Sequence, residues 1–442
     1  MEDIRRRITE MVQEREGSFR LARSAFTDEH LFELELQHIF EANWVYVCHE
    51  SQLPRAHDYL TRTLGRQPVV INRRKDGSIG GFINACAHRG ATLCRDKKGN
   101  RRIFACSFHG WCFDAEGELV KVREEEDGAY PPAFRKSDHR LTPVPRVESY
   151  RGFVFASLRA DVAPLTEYLS GATAFIDMIV DQAPAGIEVL RGSSSYIYHG
   201  NWKLQAENGA DGYHVGTVHW NYMLLQARRK RATRDDVKVI SPGGTGKRAG
   251  GFYGFGNGHV VIWSQRANPE DAPGFGNRTE YAARFGEERA RWMIDRSRNL
   301  CLYPNLFLMD SMSSQIRTWR PLAVDRTEVT SYCYAPVGEA PESRARRIRQ
   351  FEDFYNASGM ATPDDLAEFE ASQNGYRGTL ARWNDFARGA LLRRDGTDDL
   401  AKLGGFDCVA SGANIDNEGV FVTQHRAWRQ RIVDALAEQR HG

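Results

Sequence analysis

The chain has 442 residues, of which 41% are hydrophobic, 27% charged and 11% aromatic, and it carries a net charge of +2. That length exceeds what one core usually serves and favours two domains, while the composition is that of a folded globular protein. The near-neutral charge lacks the basic footprint of a nucleic-acid binder, no apolar run reaches the roughly 18 to 20 residues of a membrane span, and the charged start points to a cytoplasmic location.

In chain order, residues 1–43 read as a helical segment, with "TDEHLFELELQHIF" placing Thr27 as a cap before apolar positions at helical spacing. From Trp44 the texture changes. Short apolar segments ("WVYVC", "PVVIN", "GFINAC", "RRIFAC", "GFVFASL") alternate with Gly, Pro and Asp turn signals, which predicts an all-β unit over 44–160. Residues 161–442 form the second domain. There "PLTEYLSGATAFIDMIVDQ" is helical, and "EVLRGSSSYIYHGNWKLQ" gives two strands. More strands follow in "GGFYGFGNGHVVIW", "NLFLMDSMSSQIRTWRPL" and "EVTSYCYAPV", before three closing helical segments. The class is α+β, a mixed sheet covered by helices. The basic run "RRKRATR" (228–234) reads as a solvated helix face, with a docking patch for an acidic partner as the alternative.

Eight cysteines in such a chain argue for metal binding before disulfides. Cys48, Cys301, Cys333 and Cys408 sit among apolar neighbours as core residues. The other four crowd into "CAHRGATLCRDKKGNRRIFACSFHGWCFD", where Cys86-x-His88 is followed after seventeen residues by Cys106-x-x-His109. Two thiolates with two imidazoles suit a structural zinc or a Rieske [2Fe–2S] cluster, in which the cysteines hold one iron and the histidines the other. Both ligand pairs run into glycine, in "HRG" and "HGW", within loops between strands. Two hairpin tips clamping a two-iron cluster follow from that, whereas a zinc finger wants its histidines on one helix. Cys94 and Cys112 fall outside the pattern as packing residues. Histidine ligation places the cluster potential at roughly −150 to +300 mV, fit to accept electrons from a flavin or ferredoxin donor.

A second constellation lies in "ENGADGYHVGTVHW", with His214 and His219 five positions apart and Asn208 and Asp211 just before them. Two imidazoles and one carboxylate on one face of ferrous iron leave positions open for oxygen. Residues five apart diverge by about 140° on a helix, so the segment must bend or end between the histidines, with Gly216 as the expected break. Asp211 is expected to share a helix face with His214 and to orient it through its other ring nitrogen. The carboxylate ligand must come from elsewhere. Asp365 in "TPDDLAEFE" is a candidate, but Thr362, Pro363 and Asp365 also resemble a helix-capping box, and the residues alone do not select it from the other acids.

Taken together, these motifs resemble the large (α) subunit of Rieske non-haem iron aromatic-ring-hydroxylating oxygenases over nearly the whole chain. "NWKLQAENGADGYHVGTVHWNY", "RGSSSYIYHG", "RNLCLYPNLFLMD" and "YNASGMATPDDL" are most similar to the benzoate and toluate 1,2-dioxygenase group, with anthranilate and halobenzoate dioxygenases near. The resemblance implies Cys86, His88, Cys106 and His109 as ligands of the Rieske cluster, and His214, His219 and Asp365 as ligands of mononuclear Fe(II). It implies Asn208 and Asp211 as catalytic residues, Asp211 bridging His109 of one subunit to His214 of its neighbour. For the fold it implies a Rieske domain joined to a helix-grip (START/Bet v1-like) catalytic domain built on an antiparallel sheet, with the N-terminal segment packed on the catalytic domain. The implied reaction is cis-dihydroxylation of benzoate or a substituted benzoate by O2. Implied partners are a small β subunit in an α3β3 assembly and a separate NADH-dependent reductase bearing FAD and a plant-type [2Fe–2S] centre. Anthranilate, halobenzoate and salicylate are the alternative substrates. An electron carrier with the cluster alone, or a zinc-stabilised binding module, are readings of other classes, separable by iron content and visible spectrum.

Overall fold

A computed structural model describes residues 2–232 and 249–438. The basic run begins on the helix Trp220–Ala232, and its last residues, Thr233 and Arg234, lie outside the described residues. The chain divides into one unit of residues 36–165 and another of residues 1–35 with 166–442.

The 36–165 unit is all β apart from single turns of helix. A four-stranded sheet runs in the order Ile79–Ile83, Gln67–Arg73, Asp58–Leu64, Lys98–Asn100; a second holds Arg146–Tyr150, Phe153–Ser157 and Val45–His49. The strand Gln67–Arg73 explains the arrangement. Val69 and Ile71 enter one core with Leu60 and Val154, while Val70 enters another with Phe82, Phe104 and Phe113. Alternate side chains on a strand face opposite sides, so this continuous apolar run is covered on both. The second core carries the loops that hold Cys86 and Cys106.

The larger unit is built on a ten-stranded sheet. Its path is Ile187–Val189, Arg326–Pro336, Gln315–Ala323, Leu306–Met309, Arg296–Leu302, Val260–Gln265, Gly250–Gly254, Ala410–Ala413, Arg393–Asp395, with Ser194–Tyr198 also paired to Arg326–Pro336. Every pairing is antiparallel, which corrects the expectation of a mixed sheet. Most neighbouring strands are also near neighbours in sequence, and such short connections permit only the antiparallel arrangement. The helix Gly419–Glu438 packs across Gly250–Gly254, Val260–Gln265 and Ala410–Ala413, with Val420, Gln424, Trp428, Ile432 and Leu436 on its buried face. Their spacing of four residues is that of one helical stripe.

The N-terminal segment is not helical throughout. Val12–Arg15 and Ser18–Ala22 form a hairpin that pairs onward with Trp383–Asp385. Gly17 adopts φ 68° in its turn, and Phe19 and Leu21 are buried while Arg20 between them is exposed, so a two-residue period displaces the helical reading there. The following helix Glu29–Glu35 ends on a carboxylate that organises the unit. Glu35 is buried, accepts the indole N–H groups of Trp202 and Trp428 at 2.7 Å each, and pairs with the buried ammonium of Lys203. This joins three helices, one of which, Trp202–Asn208, leads directly into the histidine segment. Among the described residues no helix is long and apolar enough to cross a membrane.

Candidate active site

The two cysteine loops of the 36–165 unit are built alike. In each, the cysteine carbonyl accepts from the glycine four residues on (Gly90 N–H, 2.8 Å; Gly110 N–H, 3.0 Å), and the cysteine N–H donates to the carbonyl five residues on (Ala91, 2.9 Å; Trp111, 2.8 Å). Gly90 and Gly110 have φ of 74° and 75°, a conformation that costs a side-chain-bearing residue strain, which is why glycine follows each Cys–His pair. The histidine sits two residues after the cysteine in one loop and three after it in the other. Cys86 and Cys106 are buried side by side, and the rings of His88 and His109 meet edge-on at 4.7 Å. Trp111 stacks on His88 at 4.6 Å and fixes its plane.

Thiols thus pair with thiols and imidazoles with imidazoles, the donor set of a two-iron cluster rather than of one tetrahedral ion. Burial raises the Cys86 thiol, backbone N–H donation from His88 offsets part of that, and the adjacent Cys106 raises it further. A metal that binds a cysteine takes it as the thiolate and releases its proton. The residues fit the cluster.

In the larger unit, Asn201 caps the helix Trp202–Asn208 by accepting from Lys203 N–H at 3.1 Å. The chain then turns through Gly209 and Gly212, each pressed against the fold: a Cβ on Gly209 would lie 2.6 Å from the Phe307 ring, and one on Gly212 would lie 2.6 Å from the Ile415 carbonyl oxygen. Asp211 lies in this turn and not on a helix. Its Oδ1 accepts from Tyr213 N–H at 2.7 Å, and its Oδ2 lies 3.2 Å from His214 Nδ1. A single helical turn, Val215–Val218, separates the histidines. Gly216 lies inside that turn, so it is not the expected break; the chain leaves helical geometry at His219, with φ −96° and ψ 20°.

Asp365 reaches the histidines from the helix Thr362–Tyr376. The capping-box alternative does not hold: the Thr362 hydroxyl donates to the Tyr355 carbonyl at 3.1 Å, and the helix start has no side-chain cap. His214 Nε2 and His219 Nε2 are 3.3 Å apart, and Asp365 Oδ1 lies 3.5 Å from the first and 3.3 Å from the second. Three donors of one ion have about this spacing when each is about 2.1 Å from the metal. Asp365 Oδ1 is buried with no hydrogen-bond donor, as expected of an oxygen facing a cation site. Burial, followed by the His214 and Arg317 charges, pushes His219 down to about 3, which keeps its imidazole neutral and able to ligate. Burial would depress His214 as well, but Asp211 and then Asp365 outweigh it and raise its pKa. Burial raises Asp365 to about 6. His259 marks the contrast, its ring nitrogens occupied by Tyr303 N–H and the Tyr168 carbonyl, both at 3.0 Å. The residues fit a mononuclear metal ion.

These donors open on a cavity of about 970 Å³, counted out to its mouth. Ile262, Trp263, Met309, Met312 and Phe354 supply apolar wall, and Asn208 stands at the metal end, its Nδ2 3.5 Å from His214 Nε2. One wall feature escaped the sequence reading. Phe354 and Tyr355 end the helix segment that precedes Asp365, and their nearness to that acid in the chain was the available signal. An arginine on a strand is more often a solvated or ion-paired surface group, but Arg317 is buried in the wall; Arg320, three residues on, is half-buried and ion-paired, 2.9 Å from Glu328.

Comparison with known proteins agrees with this division. Residues 43–146 match the Rieske [2Fe–2S] domain family, and residues 188–432 match the ring-hydroxylating alpha subunit (catalytic domain) family. The toluate 1,2-dioxygenase subunit alpha of Pseudomonas putida is 53% identical over 96% of this chain and 94% of its own length. The 2-halobenzoate 1,2-dioxygenase large subunit of Burkholderia cepacia is 51% identical over 95% and 90%. The anthranilate 1,2-dioxygenase large subunit of Acinetobacter baylyi is 44% identical over 95% and 91%. Among solved structures, naphthalene 1,2-dioxygenase with indole in its active site superposes with a TM-score of 0.81 at 25% identity, covering 94% of this chain and 92% of that one. With a Rieske [2Fe–2S] domain and a mononuclear-iron catalytic domain on one polypeptide, the chain belongs to the ring-hydroxylating dioxygenases, as a large (α) subunit.

Proposed function

We propose that this α subunit cis-dihydroxylates benzoate or a ring-substituted benzoate, adding both atoms of O2 to adjacent ring carbons. The product is a cis-diol carboxylate, and the balance requires two electrons and two protons per turnover. Convergence of His214 Nε2, His219 Nε2 and Asp365 Oδ1 on a cavity walled by both apolar and cationic side chains is the observation that carries this reading. Similarity to enzymes named for toluate, 2-halobenzoate and anthranilate, all aromatic acids, supports the substrate class.

In this reading Cys86, Cys106, His88 and His109 hold the Rieske cluster, and His214, His219 and Asp365 hold iron. Bound there, the metals supply dioxygen activation at an open-sided ferrous ion and storage of one electron at a time at the cluster. The remaining work belongs to side chains. Asp211 holds His214 by its Nδ1 and fixes which nitrogen faces the metal. It also serves as the bridge toward His109 of a neighbouring subunit. Asn208 stands beside His214 with an amide that can donate to a reacting group. Ile262, Trp263, Met309 and Phe354 keep water from the ring. Electrons come from a separate NADH-dependent reductase bearing FAD and a [2Fe–2S] centre, and a small β subunit completes an α3β3 assembly.

The test is NADH-driven O2 uptake by the reconstituted system across benzoate, toluates, halobenzoates, anthranilate and salicylate, with product identification. Stoichiometric cis-diol from a benzoate is expected. Coupled turnover confined to hydrocarbons without a carboxyl group would overturn the substrate assignment.

A further inference from the structure

Three guanidinium groups line the cavity, from Arg266, Arg298 and Arg317. The first two share the carboxylate of Asp310 and also donate to backbone carbonyls, Arg266 to Ser311 O and Arg298 to Met293 O. Arg317 differs. It is 5% exposed, and among the described residues no carboxylate lies within ion-pair distance of it. Its Nη1 donates to Asn208 Oδ1 at 3.3 Å, and the guanidinium lies 5.7 Å from the centre of the Tyr355 ring. Asp211 and Asp365, the acids at the metal end, are turned to His214 and His219.

A buried cation compensated by one amide oxygen and a ring face is costly unless an anion joins it, because desolvation of the charge is only partly repaid. The strand makes the position inescapable. Arg317 lies in the middle of the sheet, opposite Phe307 on one neighbour and Ser331 on the other, and shares its face with buried Gln315 and Trp319. Unlike Arg320, it cannot swing out to water.

We infer that Arg317 binds the carboxylate of an aromatic acid substrate and so sets both its charge selectivity and the ring carbons presented for oxygenation. This rests on the reading of the site as an aromatic-acid dioxygenase. Arg317 lines the cavity, and a guanidinium fork matches a carboxylate with two parallel donors. One amide separates this anchor from the metal end: Asn208 accepts from Arg317 through Oδ1, and its Nδ2 lies 3.5 Å from His214 Nε2. An acid held by Arg317 therefore places the carbon bearing the carboxylate and its ortho neighbour nearest the histidines, and keeps the far side of the ring away.

The test uses the iron-loaded holoenzyme and calorimetric binding of benzoate and of benzamide, its neutral isostere. Wild type should bind benzoate about 100-fold more tightly than benzamide, and Arg317→Gln should cut that preference by at least about 10-fold, with cluster absorbance and iron content retained. Arg317→Lys, which keeps the charge but not the fork, should recover part of the loss. Equal affinity of wild type for the two ligands, or an unchanged preference in Arg317→Gln, overturns the anchor whatever the turnover. Benzoate binding that depends on Arg317 but drives no O2 uptake leaves the anchor standing and overturns the proposed reaction instead.

Discussion

Replacing Glu35 by alanine should unfold the catalytic unit at lower temperature by an amount the structure lets one work out. The carboxylate is 1% exposed, its partner Lys203 is 3% exposed, and two indole N–H groups depend on the same oxygens. Removing one member of a buried ion pair costs about 3 to 5 kcal/mol, because the survivor stays desolvated and uncompensated. Rings of Trp202, Phe26 and Trp428 lie 4.9, 5.4 and 5.6 Å from the ammonium, too weak a compensation to alter that range. A unit of about 310 residues unfolds with an entropy of about 0.65 kcal/mol/K, so a loss of about 4 kcal/mol lowers Tm by about 6 °C. Differential scanning calorimetry of the holoenzyme measures it. The double variant Glu35→Leu with Lys203→Met removes both charges and should recover most of the loss. A Tm drop below about 2 °C for the single variant, or a double variant no more stable than the single, would refute the reasoning.

Four further outcomes are expected. Asp211→Asn retains the acceptor for the Tyr213 N–H but not the charge beside His214, so with excess ferrous iron its cluster absorbance and iron content should stay near wild type while turnover falls about 100-fold; activity above a tenth of wild type contradicts the bridging role. His109→Ala should bleach the visible cluster spectrum and leave the mononuclear iron bound, as read by absorbance and metal analysis. Gly212→Ala drives a Cβ to 2.6 Å from the Ile415 carbonyl oxygen, which cannot yield as a side chain can, so iron affinity should drop by about 10-fold or more in a chelator competition. Burial holds Glu418 up at about 7, above its ordinary 4.5, so folding takes up a proton between those values and the carboxylate destabilises the fold as pH rises through 7. Glu418→Gln should therefore raise Tm most at pH 8, with the gain shrinking toward pH 5.

Both donor clusters were legible in part because ligation imposes spacing on the chain. Cys86-x-His88 with Cys106-x-x-His109 encodes two local loops, and each loop's glycine is demanded by its own φ, so residue order alone carries that geometry. His214 and His219 are also local. Asp365 was visible only as one acid among many, since its selection depends on the helix Thr362–Tyr376 packing over the sheet and on Thr362 turning to the Tyr355 carbonyl. Arg317 lies on a strand, and a strand arginine gives no local sign of what covers it; the covering residue, Tyr355, lies at the end of a separate helix. The N-terminal hairpin was missed because helical spacing in "TDEHLFELELQHIF" was extended backward across Gly17. The break assigned to Gly216 rested on propensity, whereas the helical turn Val215–Val218 includes that glycine and ends at His219.

The proposed mononuclear donors stand at positions 214, 219 and 365, whereas the proposed cluster ligands all fall between 86 and 109. During synthesis the cysteine–histidine loops leave the ribosome together and early, while the carboxylate needed to finish the other trio emerges only after most of the sheet has been made. Iron captured at the triad would therefore fasten two distant stretches of polypeptide to each other, and a product terminated between His219 and Asp365 keeps the whole Cys–His motif but only two of the three triad donors.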